Sequence, residues 1–233
     1  SLLNDAASEM ITPLLPIFLT ATLGAGPAIV GLVEGMAEAT ASLLKLYSGW
    51  LADRGVPAKR LVIGGYALSN SMRPLIGLAA GWSMVLLLRF LDRVGKGLRT
   101  APRDALIAAA TGPEQRGRAF GFHRSLDHAG AVIGPLLAFG LLAAQADLEH
   151  VFLASAIPGV LVVALLVFGL PAGAAIVPVA PNRFRWSALH GRLKAIIVAA
   201  GLLALASVPE VFVVLWATEA GMAVTWVPLV WAA

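Results

Sequence analysis

Cysteine is absent from this 233-residue chain, which excludes a disulfide scaffold, thiolate metal sites and cysteine nucleophiles. Charge is scarce. Asp, Glu, Lys and Arg make up 13% of the residues, against about 25% in an ordinary soluble domain. Hydrophobic residues make up 59%, more apolar surface than a soluble core absorbs but well suited to lipid. The apolar runs lack period-two alternation and are too long for strands, which argues against a lipid-facing barrel. A Met start and a signal-peptide layout are also lacking. Ser1 and Trp231-Ala232-Ala233 both lie inside apolar runs, so both ends are expected to be truncations of a longer protein.

What is present is a series of long apolar segments. A spanning helix needs about 20 mostly apolar residues, and helices satisfy their own backbone polar groups, as lipid demands. The pattern predicts spans over 1–23, 28–51, 61–80, 82–110, 118–144, 151–170 and 195–217, with an eighth starting near residue 223. Basic residues alternate between loops. Arg54, Lys59 and Arg60 follow the second span, Arg116 and Arg118 the fourth, and Arg183, Arg185, Arg192 and Lys194 the sixth. The intervening loops carry no Lys or Arg, and one carries Asp147 and Glu149. By the positive-inside rule the basic loops are cytoplasmic. The net charge of +4 is therefore a matter of topology, and no nucleic-acid partner is expected. Residues 171–194, longer and rich in Pro, Ala and basic residues, read as a cytoplasmic linker. The expected organisation is a six-helix transmembrane bundle over 1–170, that linker, and the start of a second, truncated bundle over 195–233. Pro13 and Pro209 give a faint echo between the two halves.

Ionisable groups within membrane helices are costly and usually face a cavity or a partner. Here they include Asp5 and Glu9 in the first span, Glu34, Glu38 and Lys45 in the second, and Arg73 in the third. The fourth carries Arg89, Asp92, Arg93, Lys96, Arg99 and Arg103, the fifth His123, Arg124, Asp127 and His128, and the seventh Glu210. At roughly 100° per residue, Glu34, Glu38 and Lys45 fall within an arc of about 40°, and the charges of the fourth span within about 120°. At about 1.5 Å per residue, Glu34 and Arg89 lie ~10 Å deep, and Glu38 and Arg93 ~16 Å deep. Carboxylates facing guanidiniums at matched depth suit a static clamp or a proton-coupling pair. Arg99 and Arg103 lie toward the cytoplasmic interface, where snorkelling accounts for them.

Several motifs carry a resemblance. Gly49-Trp50-Leu51-Ala52-Asp53-Arg54 is similar to the loop motif between helices two and three of the major facilitator superfamily, although Val56-Pro57-Ala58 interrupts its basic continuation. Arg89, with Gly95 and Gly97 after it, resembles that family's helix-four motif, with Arg93 in place of the first glycine. Pro113 to Ala119 resembles the loop after helix four. Gly121, Gly130, Gly134 and Pro135 reproduce most of the helix-five motif associated with antiporters, though Ala138-Phe139 replaces its closing glycines. Gly130, Gly134 and Ala138 also form a small-residue face suited to close helix packing.

The resemblance implies an all-α membrane protein: a six-helix major-facilitator-like bundle, a seventh transmembrane helix and the start of an eighth. It implies secondary active transport of a small solute by alternating access, proton-coupled, with export or antiport suggested by the helix-five motif. The rival reading is a non-transporting membrane scaffold or sensor that keeps the fold. The expected partners are the solute, protons, the lipid bilayer of a bacterial inner membrane and the missing C-terminal bundle. Glu34, Glu38 and Asp127 are the candidate coupling carboxylates, with Asp92 in the same cavity set and Arg89 and Arg93 as charge partners. Arg73 is a candidate for an anionic substrate, and Asp53 and Arg54, beside Gly49, are gating candidates. An enzyme is not expected. Gly95-Lys96-Gly97 lacks the strand and the Ser or Thr of a P-loop, and no nucleophile elbow supports a hydrolase. No cofactor is implied. His123, Asp127 and His128 do not make a metal site, because the two histidines are five residues apart and do not share a helix face.

Overall fold

The computed structural model describes residues 1–170, 186–206 and 208–232, which form helices and turns with no strand. The chain is an all-α membrane protein. Its second to fifth spans are single helices: α3 (Pro27–Asp53), α4 (Ala58–Leu75), α5 (Trp82–Ala109) and α6 (Arg116–Ala143). The stretches Pro27–Asp53, Pro113–Ala143 and Leu148–Gly169 are long and apolar enough to cross a membrane. Helix α5 carries too many charges for that description, yet part of its charged face is buried within the bundle, with Arg89 and Asp92 fully enclosed.

The first, sixth and seventh spans depart from the uninterrupted helices expected. The first comprises α1 (Leu2–Glu9), turns over 10–14, the short α2 (Leu15–Ile17) and a π-helical stretch, Phe18–Thr22. Pro13 and Pro16 each remove a backbone donor and disturb the preceding turn. The sixth span divides at Ser155 into α7 (Leu148–Ala154) and α8 (Ala156–Gly169), where the Ser155 hydroxyl donates to the Phe152 carbonyl at 2.6 Å and Pro158 follows. The seventh is broken between α9 (Gly191–Ala206) and α10 (Glu210–Glu219). Pro209 adopts an extended backbone there and disfavours helix in the residue before it. The eighth begins as expected, with a 3-10 turn at Val224–Trp226 leading into α11 (Val227–Ala232). Most of the expected linker, 171–185 with Arg183 and Arg185, lies outside the described residues. Helix α9 starts at Gly191, so Arg192 and Lys194 belong to its first turn rather than to a linker.

Glycines set the closest helix contacts. A side chain at Gly95 would meet the Gly65 carbonyl and the Ser69 backbone of α4, and one at Gly97 would meet Ala41 and Leu44 of α3. These backbones have no room to give, so α5 lies directly against both neighbours. Gly130 and Gly134 play the same part between α6 and α1, facing the backbone of Leu2, Ala6 and Met10. Ala138 completes that buried face. Gly121 does not belong to it, since among the described residues nothing lies within 4 Å of its missing side chain. Pro135 is buried inside an unbroken α6. An apolar core centred on Leu14, Phe18, Val33, Val85 and Phe152 fills one end of the bundle, with the Phe18 and Phe152 rings 5.1 Å apart. Large apolar side chains such as Leu46, Val160, Leu165 and Phe168 point outward, as a lipid-facing surface requires.

Candidate functional site

Arg89, Asp92 and Arg93 occupy one face of α5 because residues three and four apart are helical neighbours. Asp92 is the hub, with a wholly buried side chain. Its Oδ1 lies 2.9 Å from Arg73 Nε, and its Oδ2 lies 3.5 Å from Arg89 Nη1 and 3.8 Å from Arg93 Nε. Arg89 also forms a forked pair with Glu34 of α3, Nε to Oε1 at 3.0 Å and Nη2 to Oε2 at 3.1 Å. Such two-point pairing is among the strongest charge-assisted contacts. Glu34 keeps an edge open, its side chain being 18% exposed. Glu34 and Arg89, expected at one depth, therefore meet directly.

Other candidates are placed differently. Arg73 is 1% exposed, and its Nη1 donates to the Asn4 carbonyl, Asn4 Oδ1 and Asn70 Oδ1 at 3.1–3.2 Å. Its fork is already filled by protein, so it is not available to an anionic substrate. Glu38 is exposed and makes no ion pair among the described residues. Arg93 turns instead toward Asp92 of its own helix, and its buried Nε lacks a hydrogen-bond acceptor among the described residues. Arg99 does not snorkel. It is 4% exposed, donates to Ser69 Oγ at 2.8 Å and lies over the Tyr66 ring. Ser69 in turn donates to the Asp92 carbonyl at 2.7 Å. Asn4, Tyr66, Ser69 and Asn70 are thus parts of the network that the charge pattern alone did not reveal. Their one signal is polarity within otherwise apolar spans.

Two cavities adjoin this network. One, of about 460 Å³, is lined by Thr12, Glu34, Glu38, Glu210, Phe212 and Trp231. Thr12 and Glu210 flank Pro13 and Pro209, so the broken helices of both halves meet at one space. The other, of about 480 Å³, lies among α1, α3, α5 and α6, with Asp5, Glu9, Lys45, Lys96 and Asp127 in its walls. A hydrogen bond from Trp231 Nε1 to Glu9 Oε2, 3.0 Å long, joins the lining of one cavity to that of the other. Asp127 sits 3.6 Å from Arg124 and 3.7 Å from His123, and its buried Oδ1 has no donor among the described residues.

The sequence matches the profile of the Major Facilitator Superfamily over residues 1–233. The chain belongs to that superfamily. An uncharacterized MFS-type transporter of Methanocaldococcus jannaschii is 37% identical over 169 residues, which are 72% of this chain and 42% of the relative. The multidrug resistance protein MdtH of Aeromonas hydrophila is 32% identical over 156 residues, 67% of this chain and 38% of that protein. A crystal structure of the peptide transporter POT in complex with sulfate has the same fold, with a TM-score of 0.67 and 19% identity over 98% of this chain and 47% of that one. The chain thus spans less than half the length of these relatives. This major facilitator chain is an integral membrane protein of a transporter family, not an enzyme.

In this major facilitator chain the loop motif between the second and third spans ends α3. Asp53 is exposed and makes no ion pair among the described residues. Arg54 stacks over Trp50 at 3.9 Å from the ring centre. A side chain at Gly49 would touch Ala101 of α5 at an ordinary 3.5 Å. Nearby, Lys59 Nζ donates to the Leu170 carbonyl, which ties the start of α4 to the end of α8.

Proposed function

We propose that the complete protein is a secondary active transporter that moves a small solute by alternating access and couples it to protons. The observation that carries this reading is the Glu34–Arg89 pair. It is held inside the network on one side and borders the first cavity on the other. A proton arriving from the cavity would neutralise Glu34 and release Arg89, which would still have Asp92 within 3.5 Å. The pair can therefore open without leaving a buried guanidinium wholly unpaired, which would be severely destabilising. Protonation then becomes a bias between two packings of the same helices. Glu38 and Glu210 share that cavity and are secondary carboxylate candidates, as is Asp127 in the other. The likeness to a multidrug resistance protein supports export as the direction, and the helix-five glycines fit that reading. Asp53 and Arg54 remain gating candidates, to be completed by the second bundle.

The test uses the complete protein in membrane vesicles with an imposed pH gradient and a panel of labelled small solutes. A transported solute should accumulate beyond equilibration and fall back when an uncoupler collapses the gradient. Equilibration indifferent to the gradient would remove proton coupling. The absence of flux for every solute would favour the scaffold or sensor reading.

We also propose that the chain lies in a bacterial inner membrane with its basic loops cytoplasmic. These 233 residues hold no cysteine, so single variants Lys59→Cys and Asp147→Cys, made in the complete protein with any cysteine of its remaining part replaced by serine, test this directly. An impermeant thiol reagent applied to intact cells should label position 147 and spare 59. The reverse pattern would invert the orientation.

A further inference from the structure

The second cavity carries charges of both signs, and they are sorted by wall. Asp5 and Glu9 of α1 and Asp127 of α6 supply the carboxylates on one side. Lys45 of α3 and Lys96, Arg99 and Arg103 of α5 supply the cations on the other. The sorting follows from the packing, because the Gly130–Gly134 face locks α6 to α1 while Gly97 locks α5 to α3. Exceptions are neutralised locally: Asp104 pairs with Arg103 at 2.9 Å, and Arg124 pairs with Asp127 at 3.6 Å. His128 completes the rim.

The remaining charges do not neutralise one another. Among the described residues, neither Asp5 nor Glu9 makes an ion pair with Lys45 or Lys96, although all four line one space. Asp5 accepts a hydrogen bond from Asn4 at 2.9 Å, and Glu9 accepts one from Trp231, both from neutral donors. Arg99 is occupied by Ser69 and Tyr66 and contributes field rather than a free contact. Charges embedded in a membrane protein are expensive unless they find partners. We infer that the second cavity receives a solute carrying a cationic and an anionic group at once, its cation toward Asp5 and Glu9 and its anion toward Lys45 and Lys96. This rests on the transport reading above and names its substrate class.

Other charge types fit less well. An organic cation would satisfy the α1 carboxylates and leave the two lysines on the opposite wall without a counter-charge. An organic anion would do the reverse. A zwitterion meets both walls, and since it carries no net charge the membrane potential does no work on it. The cavity's size, about 480 Å³, is in the range of small-molecule sites.

The experiment measures binding by the purified complete protein in detergent, without any pH gradient, through the thermal midpoint read by tryptophan fluorescence. The probes are alanyl-alanine, glycine betaine and phosphocholine as zwitterions, N-acetyl-alanyl-alanine as the anion and alanyl-alanine methyl ester as the cation. At least one zwitterion should raise the midpoint at concentrations where the anion and the cation do not. Glu9→Gln and Lys96→Gln should each weaken that zwitterion by at least about tenfold, since each removes a charge-assisted contact, while Lys96→Arg should restore most of it. Should Lys96→Gln not fold, the exposed Lys45 gives Lys45→Gln as the equivalent variant. Equal or stronger stabilisation by the singly charged probes, no response to any probe, or zwitterion binding unaffected by these variants would overturn the inference. Gradient-driven transport of a singly charged solute would overturn it too and leave proton-coupled transport standing. A zwitterion that binds but never accumulates would overturn the transport reading instead.

Discussion

Glu34→Gln in the complete protein is expected to lose most of the solute accumulation driven by a pH gradient while solute exchange continues. Glutamine keeps the shape of the side chain but removes its charge and its ability to titrate. Its amide oxygen can still accept from Arg89, and Asp92 Oδ2 remains 3.5 Å from that guanidinium, so the helices should stay packed. What is lost is the difference between the protonated and ionised states of the pair. Coupling free energies of about 1–3 kcal/mol correspond to roughly 5–150-fold changes in an equilibrium, and the steady-state accumulation ratio should fall by a factor in that range. Glu38→Gln should have a smaller effect, because Glu38 is exposed and unpaired among the described residues. The comparison needs uptake and counterflow measured in the same vesicles. Gradient-driven accumulation by Glu34→Gln at the normal level would show that the pair is a static clamp. Loss of both accumulation and exchange, with less folded protein, would point the same way.

The depth of this pair could be read from the chain because it needs only two helices that enter from the same side and a fixed rise per residue. The spans themselves were legible for a similar reason, since the length of an apolar run is a one-dimensional property. The hub at Asp92 was not. Its strongest partner, Arg73, comes from α4, whose rotation about its own axis is set by the Gly65–Gly95 contact rather than by any pattern of charge. Arg73 therefore looked free to meet a substrate, while its fork is filled by Asp92, Asn4 and Asn70. Depth alone matches Arg93 with Glu38, but a carboxylate on the adjacent residue is nearer. Arg99 looked like an interfacial residue because its partners, Ser69 and Tyr66, lie on another helix. The helix breaks were marked by Pro13 and Pro209, and a reading based on apolar length ran through both. That the two breaks flank one cavity is a tertiary fact and gives their faint sequence echo a physical content.

Asp92→Asn is expected to be the most damaging single change in the bundle. Four guanidiniums, those of Arg73, Arg89, Arg93 and Arg99, lie buried in this network against two carboxylates, Glu34 and Asp92. Among the described residues, removing the charge at Asp92 leaves Glu34 as the remaining carboxylate of this network, and its direct contact is with Arg89. Breaking a buried pair by deleting one partner typically costs about 3–5 kcal/mol, because the other charge stays behind without compensation. The complete protein carrying Asp92→Asn should therefore yield little folded material, with a clearly lowered thermal midpoint for what remains. Adding Arg73→Gln should recover much of the yield, because it removes the charge most tightly bound to Asp92, at 2.9 Å. Residues in one network couple, so the double variant should be more stable than the sum of the single effects implies. A fully stable Asp92→Asn protein would mean that water or the second bundle already neutralises these arginines, and the network would then be a solvated lining of the transport path rather than the fixed frame against which Glu34 moves.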